Sequence, residues 1–240
     1  MFFKHPAFVD PKNGSLKLWR YVKQDKLFYL LESSCLYFCR ADYFQKEDPF
    51  EGSYPRLEYE YQLENDSGKE VTRRLYEIVS KDTFINCWHL SEHEDLAMWK
   101  LYAKDEKGIA IQTDISNFKN AFNNTKENIY AGKIDYIDYE TDTFYSESSH
   151  NYFSMNSFSL FIHKRKIYKY EKEYRAICYE PNGSKYPGLN IKVDLSKIIQ
   201  HIYLSPFSSE KEHTRIENKL KDLGLNIPTC SSSFKAKPYY

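Results

Sequence analysis

Two carboxylates and an arginine alternate at Glu171, Glu173 and Arg175, inside the run HKRKIYKYEKEYRAICYE that fills residues 163–180. Residues 171–179 suit a strand, and a two-residue period points all three side chains to one side. Ionised groups at that density either decorate an exposed strand edge or form a site that handles charge. A second isolated cation stands near the start of the chain. Residues 16–22 alternate so that Leu16, Leu18, Arg20 and Val22 share one face, with Lys17, Trp19 and Tyr21 on the other. A guanidinium on an aliphatic face needs a carboxylate or phosphate partner, because desolvating an unpaired charge costs several kcal/mol. Arg20 is therefore read either as one half of an internal ion pair or as a ligand-holding group.

The elements that must position these groups follow from the pattern around them. Residues 84–113 read as strand, helix and strand: a β-like run at 84–88, Ser91 with Glu94 as a capping box, and a helix with Asp95, Met98, Trp99 and Tyr102 at helical spacing. Gly108 is the expected helix stop, and residues 109–113 alternate as a strand. The Trp, His, Asp and Tyr residues crowded at one end of this unit wall a ligand pocket, or Trp99 and Tyr102 simply anchor the core. Residues 25–33 predict a short helix with Leu27, Leu30 and Leu31 inward, and residues 36–39 a second strand. In the loop that follows, Asp48 and Glu51 flank Pro49 and Phe50, where they face a cleft or cap the turn. Later segments predict a polar helix at 115–127, strands at 130–139, 189–193 and 198–204, and a helix at 209–223 ended by Gly224. Residues 141–157 read as a loop over the site or a surface excursion.

At 240 residues the chain can bury one sizeable core. Residues 1–14 read as an N-terminal arm, and 15–240 as a single α+β domain with an exposed helical insertion at 56–80. The expected fold is a curved, mainly antiparallel mixed sheet flanked by helices. Lysine plus arginine and aspartate plus glutamate both number 34, so no global field recruits nucleic acid or membrane. No run approaches the roughly 18 apolar residues of a membrane span, and no basic stretch followed by an apolar one opens the chain; the expectation is a soluble, cytoplasmic protein. Five cysteines form no CxxC pair, and the sequence contains no GxxxxGK[ST], GxGxxG, GxSxG or HExxH pattern. Cys87, His89 and His93 have no second ligand cluster to complete a zinc site, and no metal is expected.

Several motifs together resemble a known family. Asp48-Pro49-Phe50-Glu51, Cys87-Trp88-His89, Met98-Trp99-Lys100-Leu101-Tyr102, Gly108-Ile109-Ala110-Ile111 and Tyr170-Glu171-Lys172-Glu173-Tyr174-Arg175 occur in the order seen in the bacterial domain of unknown function 2971 family. More remotely, Leu18-Trp19-Arg20-Tyr21, the leucine-rich helix and Leu36-Tyr37-Phe38 resemble the start of the ADP-ribosyltransferase fold, especially nucleic-acid-modifying toxins. That second resemblance implies NAD as co-substrate, a nucleic-acid or protein acceptor, and a role in bacterial conflict as a toxin or phage-defence effector. It implies that Arg20 contacts NAD and that Glu173 is catalytic, with Glu171 orienting the acceptor or serving in its place. Ser91, Trp88 and Tyr102 compete for the middle, pocket-lining position, Trp99 or Tyr102 packs beside the nicotinamide or adenine, and Arg175 joins the cofactor-binding set. Arg20 and Glu173 must then converge. The alternative function is a noncatalytic nucleotide or nucleic-acid binding module, in which Lys164, Arg165, Lys166, Lys169 and Lys172 interleave with Tyr168 and Tyr170.

Overall fold

The computed structural model describes residues 1–62, 66–144 and 157–239. The loop reading of residues 141–157 falls mostly outside them, at 145–156. The chain opens with strand β1 (Lys17–Lys23), helix α1 (Gln24–Ser33) and strand β2 (Cys35–Arg40). Helices α2 (Arg56–Gln62) and α3 (Asp66–Asp82) precede β3 (Thr83–Leu90), α4 (Leu96–Tyr102), β4 (Gly108–Asp114) and α5 (Ile115–Asn120). Strands β5 (Ile129–Lys133), β6 (Asp135–Ile137), β7 (His163–Arg165), β8 (Glu173–Tyr179) and β9 (Gly188–Lys192) follow. Helix α6 (Leu195–Ile198), β10 (His201–Leu204), α7 (Glu210–Asp222) and β11 (Thr229–Ser231) close the sequence of elements.

Among the described residues nine strands form one open sheet, antiparallel at every pairing except β10 with β11, and β6 pairs β7 in a separate parallel ribbon. The α+β, mainly antiparallel architecture is the one expected. Its pairing at β3 sets up everything else. Strand β8 runs along one edge of β3 from Thr83 to His89. A strand has only two edges, so β1 and β2 share the other: β1 pairs at His89 and Leu90, β2 at Phe84 and Ile85. Between them the sheet is split, and Asn86 spans the opening by donating Nδ2 to the Tyr37 carbonyl at 2.8 Å.

The alternation read in β1 holds. Leu18 and Val22 enter the main core with Leu27, Leu30 and Leu31 of α1, whereas Trp19 and Tyr21 pack on the opposite face with Met98 and Trp99. Burying these aliphatic and aromatic side chains stabilises the two layers by about 1.5–3 kcal/mol each relative to exposure.

Several local expectations are corrected. Asp95, not Ser91, caps α4: its Oδ1 accepts from the amides of Ala97 and Met98 at 2.7 and 3.2 Å. Glu94 instead accepts from Trp99 Nε1 at 3.0 Å, so no capping box forms. Gly108 begins β4 rather than ending the helix; a side chain there would meet the Ala103 carbonyl at 2.2 Å, a close approach only glycine allows. The segment read as an N-terminal arm, residues 1–14, runs in part along β5, where Phe3 donates to the Ile129 carbonyl at 2.8 Å and Lys133 to that of Val9 at 3.1 Å. Beyond α7, Thr229–Ser231 add β11 to the sheet beside β10.

Candidate functional site

Glu171 is not a strand residue. It ends a 3-10 turn over Lys166–Glu171, and Lys172 adopts a left-handed conformation (φ 42°) before β8 starts at Glu173. The kink still brings the two carboxylates together, because both accept from the ammonium of Lys164 on β7: Glu171 Oε2 and Glu173 Oε1 each lie 2.5 Å from Nζ. Arg175 donates Nε to Glu173 Oε2 at 2.5 Å and turns its two terminal nitrogens onto Glu51. Three carboxylates thus meet two cations in a buried network.

That imbalance sets the protonation states. Burial, the hydrogen bond to Glu173 and its charge raise the Glu171 carboxyl to about 7. Burial works in the same direction on Glu173, but the charges of Arg175 and Lys164 outweigh it and hold this carboxyl well below the usual range. Near neutrality the pair therefore has an ionised Glu173 and a Glu171 that exchanges its proton. Tyr102, half exposed at the end of α4, donates its hydroxyl to Glu171 Oε1 at 3.1 Å. His89 presents Nδ1 to the Glu171 carbonyl at 2.7 Å, and burial lowers its pKa, so the imidazole is neutral.

Glu171, Glu173, Lys164, Tyr102, Cys87 and Arg20 all line one cavity of about 350 Å³ at the split in the sheet. Register sets Trp19 opposite His89 and His89 opposite Glu173, so Arg20 and Glu173 stand on opposite faces of the sheet. They reach a common cavity because the opening between β1 and β2 lets one cavity border both faces. A second cavity of about 520 Å³ lies on the α1 side, and Arg20, Val22, Lys26 and Tyr37 belong to the walls of both. Among the described residues the Arg20 side chain has no hydrogen-bond or ion-pair partner. Burial lowers its pKa to about 10, opposed by the Cys87 thiol, and it remains a cation at neutral pH.

The other expected site residues divide. Trp88 contributes to the cavity wall, yet its ring packs against Phe118 in the core and Nε1 donates to Asn86 Oδ1 at 2.7 Å. Trp99 is wholly buried, edge-on to Tyr21, and outside the cavity. Ser91 is also outside it; its carbonyl accepts from Trp19 Nε1 at 2.7 Å. Arg175, expected among the cofactor-binding groups, has no exposed surface, and its guanidinium is spent on Glu51, Glu173 and the Phe161 carbonyl. It positions Glu173. Asp48 and Glu51 do more than cap a turn, since they pair with Arg165 and Arg175. Lys164 and Asn86 went unsuspected at the site; the basic run around Lys164 reads as surface, and an asparagine bridging two strands has no local signature. Burial and the nearby Glu173 push the Cys87 thiol well above its ordinary pKa, which opposes a nucleophilic role. Among the described residues no group of three metal-ligating side chains converges.

The family model described as "Protein of unknown function (DUF2971)" matches residues 98–176. The match spans three of the five motifs that resemble this family, from Met98-Trp99 to the Glu171–Arg175 run. No curated protein matches the chain. Among solved structures, DarT of Thermus sp. 2.9 in complex with NAD+ is similar at 9% identity and a TM-score of 0.40, over 93% of this chain and 97% of that one. The same protein in complex with ADP-ribosylated ssDNA aligns at 8% identity and a TM-score of 0.42, over 95% and 97%.

Proposed function

We propose that the chain binds NAD across the two cavities and cleaves its nicotinamide–ribose bond, as an ADP-ribosyltransferase or an NAD glycohydrolase. One observation carries the reading: an arginine without a protein partner stands on the wall between two cavities, and one of them ends on a buried carboxylate pair. A pyrophosphate supplies the charge-assisted bonds that Arg20 lacks, with Lys26 beside it. The two volumes lie in the range of small-molecule sites and offer separate room for the two halves of a dinucleotide.

Breaking the glycosidic bond builds positive charge on the ribose, and a fixed carboxylate stabilises that charge electrostatically. Glu173 is the ionised group for this task. Glu171, with its proton held near neutrality and its oxygens shared with Lys164 and Tyr102, is suited to orient a ribose hydroxyl or the acceptor. The acceptor is nucleic acid, protein or water, and the setting that the resemblance implies is a toxin or phage-defence effector in the bacterial cytoplasm.

Nicotinamide release from NAD tests the proposal, with folded Glu173→Gln and Arg20→Ala variants alongside. Release by the wild type, reduced at least 100-fold in Glu173→Gln, is expected; release that survives both substitutions sinks the assignment. A binding-only reading is favoured by one observation, that Glu173 already faces two cations, which tempers its charge. NAD binding without release, with and without cell extract, would decide for that alternative.

A further inference from the structure

Of the five cations in the run at 164–172, three are spent internally: Lys164 on the carboxylate pair, Arg165 on Asp48 at 2.6 Å and Lys166 on Asp142 at 2.8 Å. Lys169 and Lys172 are left, and the fold adds Lys133 from the end of β5, about 40 residues away in sequence. The three line a surface pocket of about 480 Å³ floored by Leu90, Ile134 and Tyr136. None of the three has an ion-pair partner among the described residues. The acids at the pocket are Asp135 and Glu173, and Glu173 is already matched by Lys164 and Arg175.

Three exposed lysines from two segments, the end of β5 and the turn before β8, outnumber the two acids at the pocket and make it a positive patch in a chain of zero formal charge. The backbone places Lys172 there. Lys172 sits at φ 42°, a conformation uncommon for a residue with a side chain, and its carbonyl accepts from the Leu90 amide at 2.9 Å. Tyr170 and Ile167, both exposed, give an adjoining surface on which a base can rest.

We propose that Lys133, Lys169 and Lys172 form a site for phosphate groups, adjoining the cavity at the split in the sheet and sharing Glu173 with it. The chemistry is shared by the phosphodiesters of a single strand and the phosphates of a free nucleotide, and it does not depend on NAD cleavage. The test measures binding of a labelled single-stranded thymidine oligonucleotide, ATP and inorganic pyrophosphate over a series of salt concentrations. The comparison protein carries Lys133→Ala, Lys169→Ala and Lys172→Asn, since asparagine tolerates the left-handed backbone.

Each lysine withdrawn from the phosphates of a single strand flattens the log–log salt slope by about 0.7, so the triple variant is expected to bind at least tenfold more weakly with a slope flatter by about 2. Loss of oligonucleotide binding alone assigns the site to phosphodiesters, and loss of ATP and pyrophosphate binding assigns it to free phosphates; either result supports the proposal. If the wild type binds none of the three probes, or the variant binds as tightly as the wild type, the proposal is overturned. Should the triple variant fail to fold, Lys169→Glu, a single reversal at an exposed position, reads the same loss.

Discussion

Burial drives the Glu171 carboxyl up to about 7 while its neighbour Glu173 is held ionised by Arg175 and Lys164. The raised group makes stability depend on pH in a defined direction. Between the ordinary carboxyl value of 4.5 and about 7 the folded chain keeps a proton that the unfolded chain has released. The associated stability is complete below about 4.5 and is lost as pH rises towards 7. Glu173 is ionised in the folded state across this window, and its titration in the unfolded chain near 4.5 is common to the wild type and Glu171→Gln, so it cancels in their comparison. Denaturant unfolding at pH 4.5 and pH 7 should therefore show the wild type losing on the order of 2 kcal/mol more than Glu171→Gln over the same rise. Parallel curves for the two proteins would show that Glu171 titrates normally.

Helix α4 is the element that brings Tyr102 to the carboxylate pair, and its start is set by a single side chain. Asp95 satisfies two amides of the first turn, while Ser91 lies four residues upstream and touches none of them. Asp95→Ala should lower the unfolding free energy by about 1 kcal/mol, and Ser91→Ala should change it by less than about 0.5 kcal/mol. The reverse ranking in urea denaturation would restore the capping box suggested by the sequence. Because the cap fixes the direction in which α4 leaves β3, Asp95→Ala also loosens the hydroxyl that Tyr102 extends to Glu171.

At the scale of the molecule, the split between β1 and β2 is the feature on which the proposed NAD binding depends. A dinucleotide lodged there shields segments far apart in sequence, around Arg20–Val22, Tyr37 and Asn86–Trp88. Hydrogen exchange with saturating NAD should slow in these three segments and leave α7 unchanged. Protection confined to α7, or none anywhere while binding is measurable, would place the ligand elsewhere. Among the described residues no helix is long and apolar enough to cross a membrane.

Period-two alternation made β1 legible from its residues, and with it the odd position of Arg20 among Leu18 and Val22. It also showed that Glu173 and Arg175 share a side. It misread Glu171 as a third member of that strand, since a left-handed lysine leaves no mark in a pattern of polar and apolar residues. The capping motif at Ser91 was equally local, and equally open to an alternative: Asp95 offers the same chemistry one turn later.

By itself the sequence determined the α+β composition, the inward faces of β1 and α1, and the residue types available for charge-handling chemistry, because these depend on neighbours a few positions apart. Only the tertiary structure decided which charges were spent and which were free. Glu51 and Arg175 lie 124 residues apart, yet their pairing withdraws Arg175 from any ligand. The split opposite β8 leaves Arg20 unmatched and lets it share a cavity with a carboxylate on the other face of the sheet. An ion pair or an opening in a sheet is a relation between distant segments, fixed by strand pairing rather than by local spacing.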